Sequence, residues 1–286
     1  MSAATKLRAQ FASGRIAVAP GAYDGLSARL VEQAGFPAIY ASGGAIARSA
    51  GIPDLGLLSV STIVDRLASM VDVVSVPIVA DADTGYGNAL SAQRAARAFE
   101  RVGVAAFHLE DQTFPKKCGH YDDKGLVPVG EMVQKLKAVR DALDDPNFVV
   151  IARTDAIAVE GFAAAIDRAC AYREAGADML FVEAPTTEAE IAEIAKSVSG
   201  WKLINMFEGG KTPLLPVAKL EALGYHLVII PSDTQRAAIK AMQRVLEAIG
   251  RDGSAASMRG DMVSFKDREV LVDTAGYLDR SNRYGS

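Results

Sequence analysis

The amino-acid sequence predicts an α/β fold, a (β/α)8 barrel of the TIM type, and three observations carry that prediction. Eight short apolar or β-branched runs recur along the chain, as strands buried on both faces require. Amphipathic, alanine-rich stretches fill most of the intervals between them. No G-x-G-x-x-G follows the first run, as it would in a doubly wound dinucleotide-binding sheet.

The runs are "RIAVA" at 15–19, "PAIYA" at 37–41, "PIVADAD" at 77–83, "AAFHLE" at 105–110, "FVVIART" at 148–154, "DMLFVEA" at 178–184, "KLINMF" at 202–207 and "HLVII" at 226–230. Between them, "SAQRAARAFERVG", "AAAIDRACAYREAG" and "EAEIAEIAKSVSG" read as helices, and the first two close on a glycine just before the next strand. After the eighth run, "TQRAAIKAMQRVLEAIGRDG" reads as a long helix and the tail to Ser286 is polar with scattered apolar residues. Residues 1–286 therefore read as one barrel domain with 234–286 as a helical C-terminal extension, suited to packing on a neighbouring subunit.

Composition narrows the function. At 286 residues, 50% hydrophobic and 23% charged, the chain suits one large domain with a substantial core. A formal net charge of −4 offers no basic excess for nucleic acid or an anionic membrane. The two cysteines form no C-x-x-C pair, which fits a reducing cytoplasm and disfavours a structural zinc site. The N-terminus lacks a signal-type apolar core, and no apolar run is long enough to span a bilayer. Small-molecule chemistry is the reading that remains.

In a barrel of this kind, chemistry sits at the C-terminal strand ends and the loops after them. Those ends are "ASGG", "DADTGYGN", "HLEDQ", "ARTDA", "VEA", "INMFEGG" and "IIPSD". Asp81 and Asp83 share a strand face at i, i+2 and, with Glu110 on the next strand, could hold a hard cation partly through water; equally, one Asp could cap the following helix and the others be solvated. Of Glu110 and Asp111, adjacent along a strand, only one can face the pocket. Arg153 suits bidentate capture of a substrate carboxylate, or it could simply pair with Glu183.

The loop "FPKKCGHYDD" sets Cys118 beside Lys116, Lys117 and His120, cations that would favour the thiolate. Two readings of Cys118 stand, a reagent or inert packing, and the polar loop favours the reagent. Cys170, within "DRACAYREAG", reads as packing, and His226 as structural; His108 faces either the pocket or the barrel wall. A cation, an Arg and an acid–base group on a loop suit carbon–carbon cleavage next to a carboxylate, with Cys118 protonating the departing carbon.

At these residues the chain resembles the isocitrate lyase/phosphoenolpyruvate mutase superfamily over nearly its whole length. The K-[KR]-C-G-H motif of its lyase branch stands intact at 116–120, and "YASGGAIARSAGIPDLG", "ADADTGYGN", "HLEDQ" and "ARTDA" match further family blocks in the same order. The resemblance implies a homotetramer that exchanges its C-terminal helix between subunits, Mg2+ or Mn2+ as cofactor, and a small carboxylate substrate. It also implies that Ser42, Gly43 and Gly44 hold a keto-acid carboxylate with Asp54 beside them. Asp81, Asp83 and Glu110 would organise the metal, directly or through waters.

By the same resemblance Cys118 is the catalytic acid, with Gly119 and His120 beside it, and Arg153, Glu183 and Asn205 complete the pocket. Within the lyase branch, the short chain and cysteine loop look like a 2-methylisocitrate lyase, whereas "INMFEGGKTPLLP" at 204–216 is similar to 2,3-dimethylmalate and other 2-alkylmalate lyases. Oxaloacetate hydrolases and decarboxylases, and enzymes that move or hydrolyse a phosphorus–carbon bond, are the alternatives on the same scaffold; the decarboxylase and phosphorus–carbon branches generally lack the loop cysteine, whereas oxaloacetate hydrolases also look like cysteine-loop members and are the harder competitor.

Overall fold

The computed structural model describes residues 1–117, 119 and 123–285. The chain divides into two compact units, Met1–Asp233 and Thr234–Ser286. In the first, eight parallel strands close into a barrel in sequence order: β1 (Ala17–Ala22), β2 (Ile39–Ala41), β3 (Ile78–Asp81), β4 (Ala106–Glu110), β5 (Val149–Thr154), β6 (Met179–Val182), β7 (Trp201–Asn205) and β8 (Leu227–Ile230). The ring closes where β1 pairs with β8, Ala17 opposite Leu227 and Pro20 opposite Ile230.

Local chemistry sets the helix boundaries. Asp24 and Ser27 form a reciprocal capping box on helix Gly25–Gln33, and Thr187 and Glu190 form another on Glu188–Ser197. Asn88 caps Ala89–Val102 through its side-chain oxygen, and Gly103, at φ 96°, ends that helix in the left-handed conformation glycine tolerates. The first strand differs from the sequence expectation, running through Pro20 and Gly21 to Ala22 rather than ending at residue 19. Gly21 permits this because a Cβ there would point into the carbonyl of Pro231, whose Cα would lie 2.9 Å away.

Strand residues alternate between two cores. Ala106, Ile151, Met179, Phe181, Leu203 and Leu227 point into the barrel, where Leu7 and Phe11 of helix Ala3–Ala12 join them. Phe107, Leu109, Val150, Ala152, Leu180, Val182 and Ile204 point outward into the layer between strands and helices. This two-residue period decides which polar side chains reach the barrel mouth.

The second unit contains helix Asp233–Asp252 from Thr234 onward, a 3-10 turn at Ala256–Asp261, and helices Phe265–Leu271 and Thr274–Arg283. Ile239, Met242, Leu246 and Ile249 are exposed on the long helix, at spacings that put them on one stripe. Among the described residues, no helix is long and apolar enough to cross a membrane.

Candidate active site

Extending the strand alternation to the C-terminal ends yields the site. Asp81 follows Val79 on the inner face of β3, and His108 and Glu110 follow Ala106 on β4. Arg153 follows Ile151 on β5, Glu183 follows Phe181 after β6, and Asn205 follows Leu203 on β7. The register sets Asp81 beside His108 and Glu110 beside Arg153. Glu110 thus faces the mouth, while Asp111 turns outward and accepts hydrogen bonds from Thr154 Oγ1 at 2.7 Å and Tyr172 OH at 2.8 Å, with Arg168 Nη1 at 3.3 Å.

On the β2 side, Ser42 caps helix Gly43–Ser49, its Oγ accepting from the Ala45 amide at 3.2 Å. The two glycines that follow allow close approach of carboxylates: a Cβ on Gly43 would lie 2.7 Å from Asp81 Oδ2, and one on Gly44 would lie 2.8 Å from Asp54 Oδ2. The buried Lys116 ammonium pairs with Asp54 and sits 2.8 Å from Asp83 Oδ1. Asp83 (φ 47°) and Ala184 (φ 61°), the residue after Glu183, adopt the left-handed region uncommon for side-chain-bearing residues, so local strain accompanies the site on two strand ends.

On the opposite side, Arg153 is held in a fork by Asp155, Nε to Oδ2 at 2.9 Å and Nη2 to Oδ1 at 3.1 Å. Its Nε also lies 3.3 Å from Glu110 Oε2 and its Nη2 3.8 Å from Glu183 Oε1, with the guanidinium 5.0 Å from the Phe181 ring centroid. Asn205 Nδ2 donates to Glu183 Oε1 at 3.4 Å. Gly119 packs directly on this group: a Cβ there would collide with Arg153 Nη2 and lie 2.6 Å from Glu183 Oε1.

The charges are unevenly settled. Burial tends to raise the Asp81 pKa, but His108, Lys116 and Arg153 outweigh it and hold the carboxyl at about 2. Burial holds the His108 imidazole down to about 4, so at neutral pH it is uncharged, 2.7 Å from Tyr40 OH through Nε2. The cations acting on Asp81 at pH 7 are therefore Lys116 and Arg153. Burial raises Asp83 to about 6 against the pull of Lys116, with Asp81 and Asp54 adding to the rise. Burial likewise raises Glu110 despite Arg153, and its Oε1 has no hydrogen-bond partner.

These donors suit a hard divalent cation that keeps most of its water. Asp81, Asp83 and Glu110 offer only oxygen, and an unpartnered buried carboxylate oxygen is what such an ion or its water would satisfy. Among the described residues, no three His, Cys, Asp or Glu side chains are grouped to bind a metal outright.

Lys116 serves Asp54 and Asp83, and Lys117 donates to the Asp123 carbonyl at 2.9 Å. One sequence reading narrows. Arg153 is not reserved for Glu183, because Asp155 holds it more closely. Cys118 and His120 lie outside the described residues. Cys170 is half-buried, its Sγ 3.9 Å from the Ser197 carbonyl, and His226 Nδ1 accepts from the Lys202 amide at 3.4 Å. His108 faces inward and forms the floor with Tyr40.

Sequence reasoning did not assign roles to Tyr40, Asp155 or Lys124. Asp155 lies in the quoted "ARTDA", and its charge at a strand end was the available signal. Tyr40 could have been found from its place on the inner face of β2. Lys124 carries no local signal that separates it from a solvated lysine.

A closed eight-stranded barrel with acids, an arginine and an asparagine converging at its C-terminal mouth defines an enzyme of the (β/α)8 class. The phosphoenolpyruvate phosphomutase family model matches residues 7–250. Over its whole length the chain is 43% identical to 2,3-dimethylmalate lyase of Eubacterium barkeri, covering 99% of that protein. It is 45% identical to 2-methylisocitrate lyase of Bacillus subtilis over 91% of this chain and 85% of the relative. Among solved structures, phosphonopyruvate hydrolase in complex with oxalate and Mg2+ superposes with a TM-score of 0.91 at 34% identity, covering 100% of both chains. The chain belongs to the phosphoenolpyruvate mutase/isocitrate lyase superfamily, and its lyase relatives set it on the carbon–carbon lyase side of that group.

Proposed function

We propose that the protein is a divalent-cation-dependent lyase that cleaves a 2-hydroxy di- or tricarboxylate between C2 and C3, releasing pyruvate. The substrate is a 2-alkylmalate such as 2,3-dimethylmalate, or 2-methylisocitrate. The observation that carries the reading is Gly119, the glycine of the K-K-C-G-H loop, lying against Arg153 and Glu183 at the barrel mouth, where loop chemistry and strand-end chemistry meet.

In this mechanism the Ser42–Gly44 segment holds the 2-carboxylate, with Asp54 and Lys116 beside it. Arg153 faces the C2 oxygen and stabilises negative charge as it builds. The hydroxyl proton passes to a carboxylate of the acid-lined mouth, C2 becomes the carbonyl of pyruvate, and the C2–C3 electron pair is left on C3. Cys118 gives its proton to C3, yielding propionate from 2,3-dimethylmalate or succinate from 2-methylisocitrate, and the enzyme is reset when the carboxylate releases the hydroxyl proton to solvent and the thiolate takes one up. Asp81, Asp83 and Glu110 would hold Mg2+ or Mn2+, which supplies Lewis-acid stabilisation of the oxygen at C2. His120 and Asn205 complete the surroundings of the reacting atoms.

The test is 2-oxo-acid release, with and without Mg2+, from 2-methylisocitrate and 2,3-dimethylmalate, which give pyruvate, and from other 2-alkylmalates, which give pyruvate only where the C2 substituent is methyl. Isocitrate is assayed in parallel for glyoxylate and oxaloacetate for oxalate. Metal-dependent pyruvate from one of the first group is the expected result; oxalate from oxaloacetate alone, or no product, would overturn the assignment. A homotetramer with an exchanged C-terminal helix belongs to the same proposal, supported by the exposed Ile239–Met242–Leu246–Ile249 stripe. Light scattering should give the mass of four chains, and a monomer would remove that part.

A further inference from the structure

Lys124 is among the most deeply buried cations of the chain, its side chain 1% exposed, although it lies in a polar loop. Burying an ammonium is costly unless its charge is met by well-placed partners. Here the Nζ donates to Asp155 Oδ1 at 2.7 Å and to the Gly119 carbonyl at 2.6 Å. Asp155 is the residue that holds Arg153 in a fork, and Gly119 packs on Arg153 and Glu183. One ammonium thus joins the middle of the loop to the carboxylate that aims the arginine.

The backbone of Lys124 is itself fixed. The Thr113 amide donates to the Gly125 carbonyl at 2.8 Å, and Gln112 bridges Leu126, so Lys124 stands next to a paired stem. Its side chain reaches from that stem back to residue 119. Without the ammonium, Arg153 would be the one cation left on Asp155 among the described residues and would be drawn from Glu110 and Glu183, while the Gly119 carbonyl would lose a charged donor.

We propose that Lys124 is a positioning residue that sets the Gly119 carbonyl and, through Asp155, the Arg153 guanidinium as one unit. Its kinetic consequence rests on the lyase reading; its structural consequence does not. Two measurements keep them apart. Cleavage by trypsin after Lys117, followed by mass spectrometry, should be about tenfold faster in Lys124→Met than in the native chain, because Gly119 loses the ammonium that holds its carbonyl. Cleavage after Arg259 serves as the internal reference. Equal rates after Lys117 would overturn the proposal whatever the enzyme's substrate.

On the best substrate, Lys124→Ala should lose about a hundredfold in kcat with a smaller change in KM, as misplacement of a catalytic group costs. Propylamine should restore part of that loss and 1-propanol should not. Restoration by neither, or by both alike, would overturn the role in aiming Arg153. If the native enzyme turns over none of the panel, the lyase reading fails and the proteolysis result still decides whether Lys124 holds Gly119.

Discussion

Arg153→Met is expected to lower kcat/KM by about a thousandfold and to destabilise the fold by roughly 3–5 kcal/mol, the cost of removing one partner from a buried charge cluster. The guanidinium faces Asp155, Glu110 and Glu183, and methionine keeps its bulk without its charge. The stability deficit should depend on pH. Burial tends to raise the Asp155 pKa, but Arg153 and Lys124 prevail and hold it well below the usual carboxylate range.

A group depressed in this way contributes stability that is fully present above its unfolded pKa, about 3.9, and lost as pH falls through the folded value. The difference between native and variant should therefore be largest near neutral pH and narrow below about pH 4. Denaturant midpoints at several pH values measure it. A deficit that stays constant from pH 7 to the acid limit would show that Arg153 acts by packing alone.

Cys118→Ser should keep the fold and the response to Mg2+ while losing about 10²–10⁴ in turnover, the usual contribution of a placed general acid. A serine hydroxyl matches the thiol in shape but is a far weaker acid, so the loss isolates proton donation from contact. Circular dichroism and a metal titration establish that the variant is otherwise intact. A turnover within a few-fold of the native rate would take Cys118 out of the mechanism.

The barrel was legible because buried parallel strands print themselves as apolar runs, and two of the helices between them close on a glycine just before the next strand. The acidic mouth was legible for a related reason: polar residues at the ends of apolar runs have few other places to go. What the sequence left open was settled by the two-residue period once strand limits were fixed. Glu110 and Asp111 are indistinguishable as letters, yet one faces Arg153 and the other Tyr172 and Arg168.

Long-range pairings were not legible. Lys116 meets Asp54 across 62 positions, and the Lys124–Asp155 pair spans 31, so no local pattern could mark either lysine as buried. The left-handed backbone at Ala184 is likewise imposed by the surrounding fold, since alanine has no preference for it.

The strand alternation also has a practical meaning for altering this protein. Leu109, Ala152, Val182 and Ile204 face the helices, one step away from Glu110, Arg153, Glu183 and Asn205 at the mouth. Each strand therefore carries two independent ledgers, one for solidity and one for selectivity. A library that varies only inward positions can explore new substrates without touching the outer packing, whereas a one-residue insertion early in β4 would turn Leu109 inward and Glu110 outward.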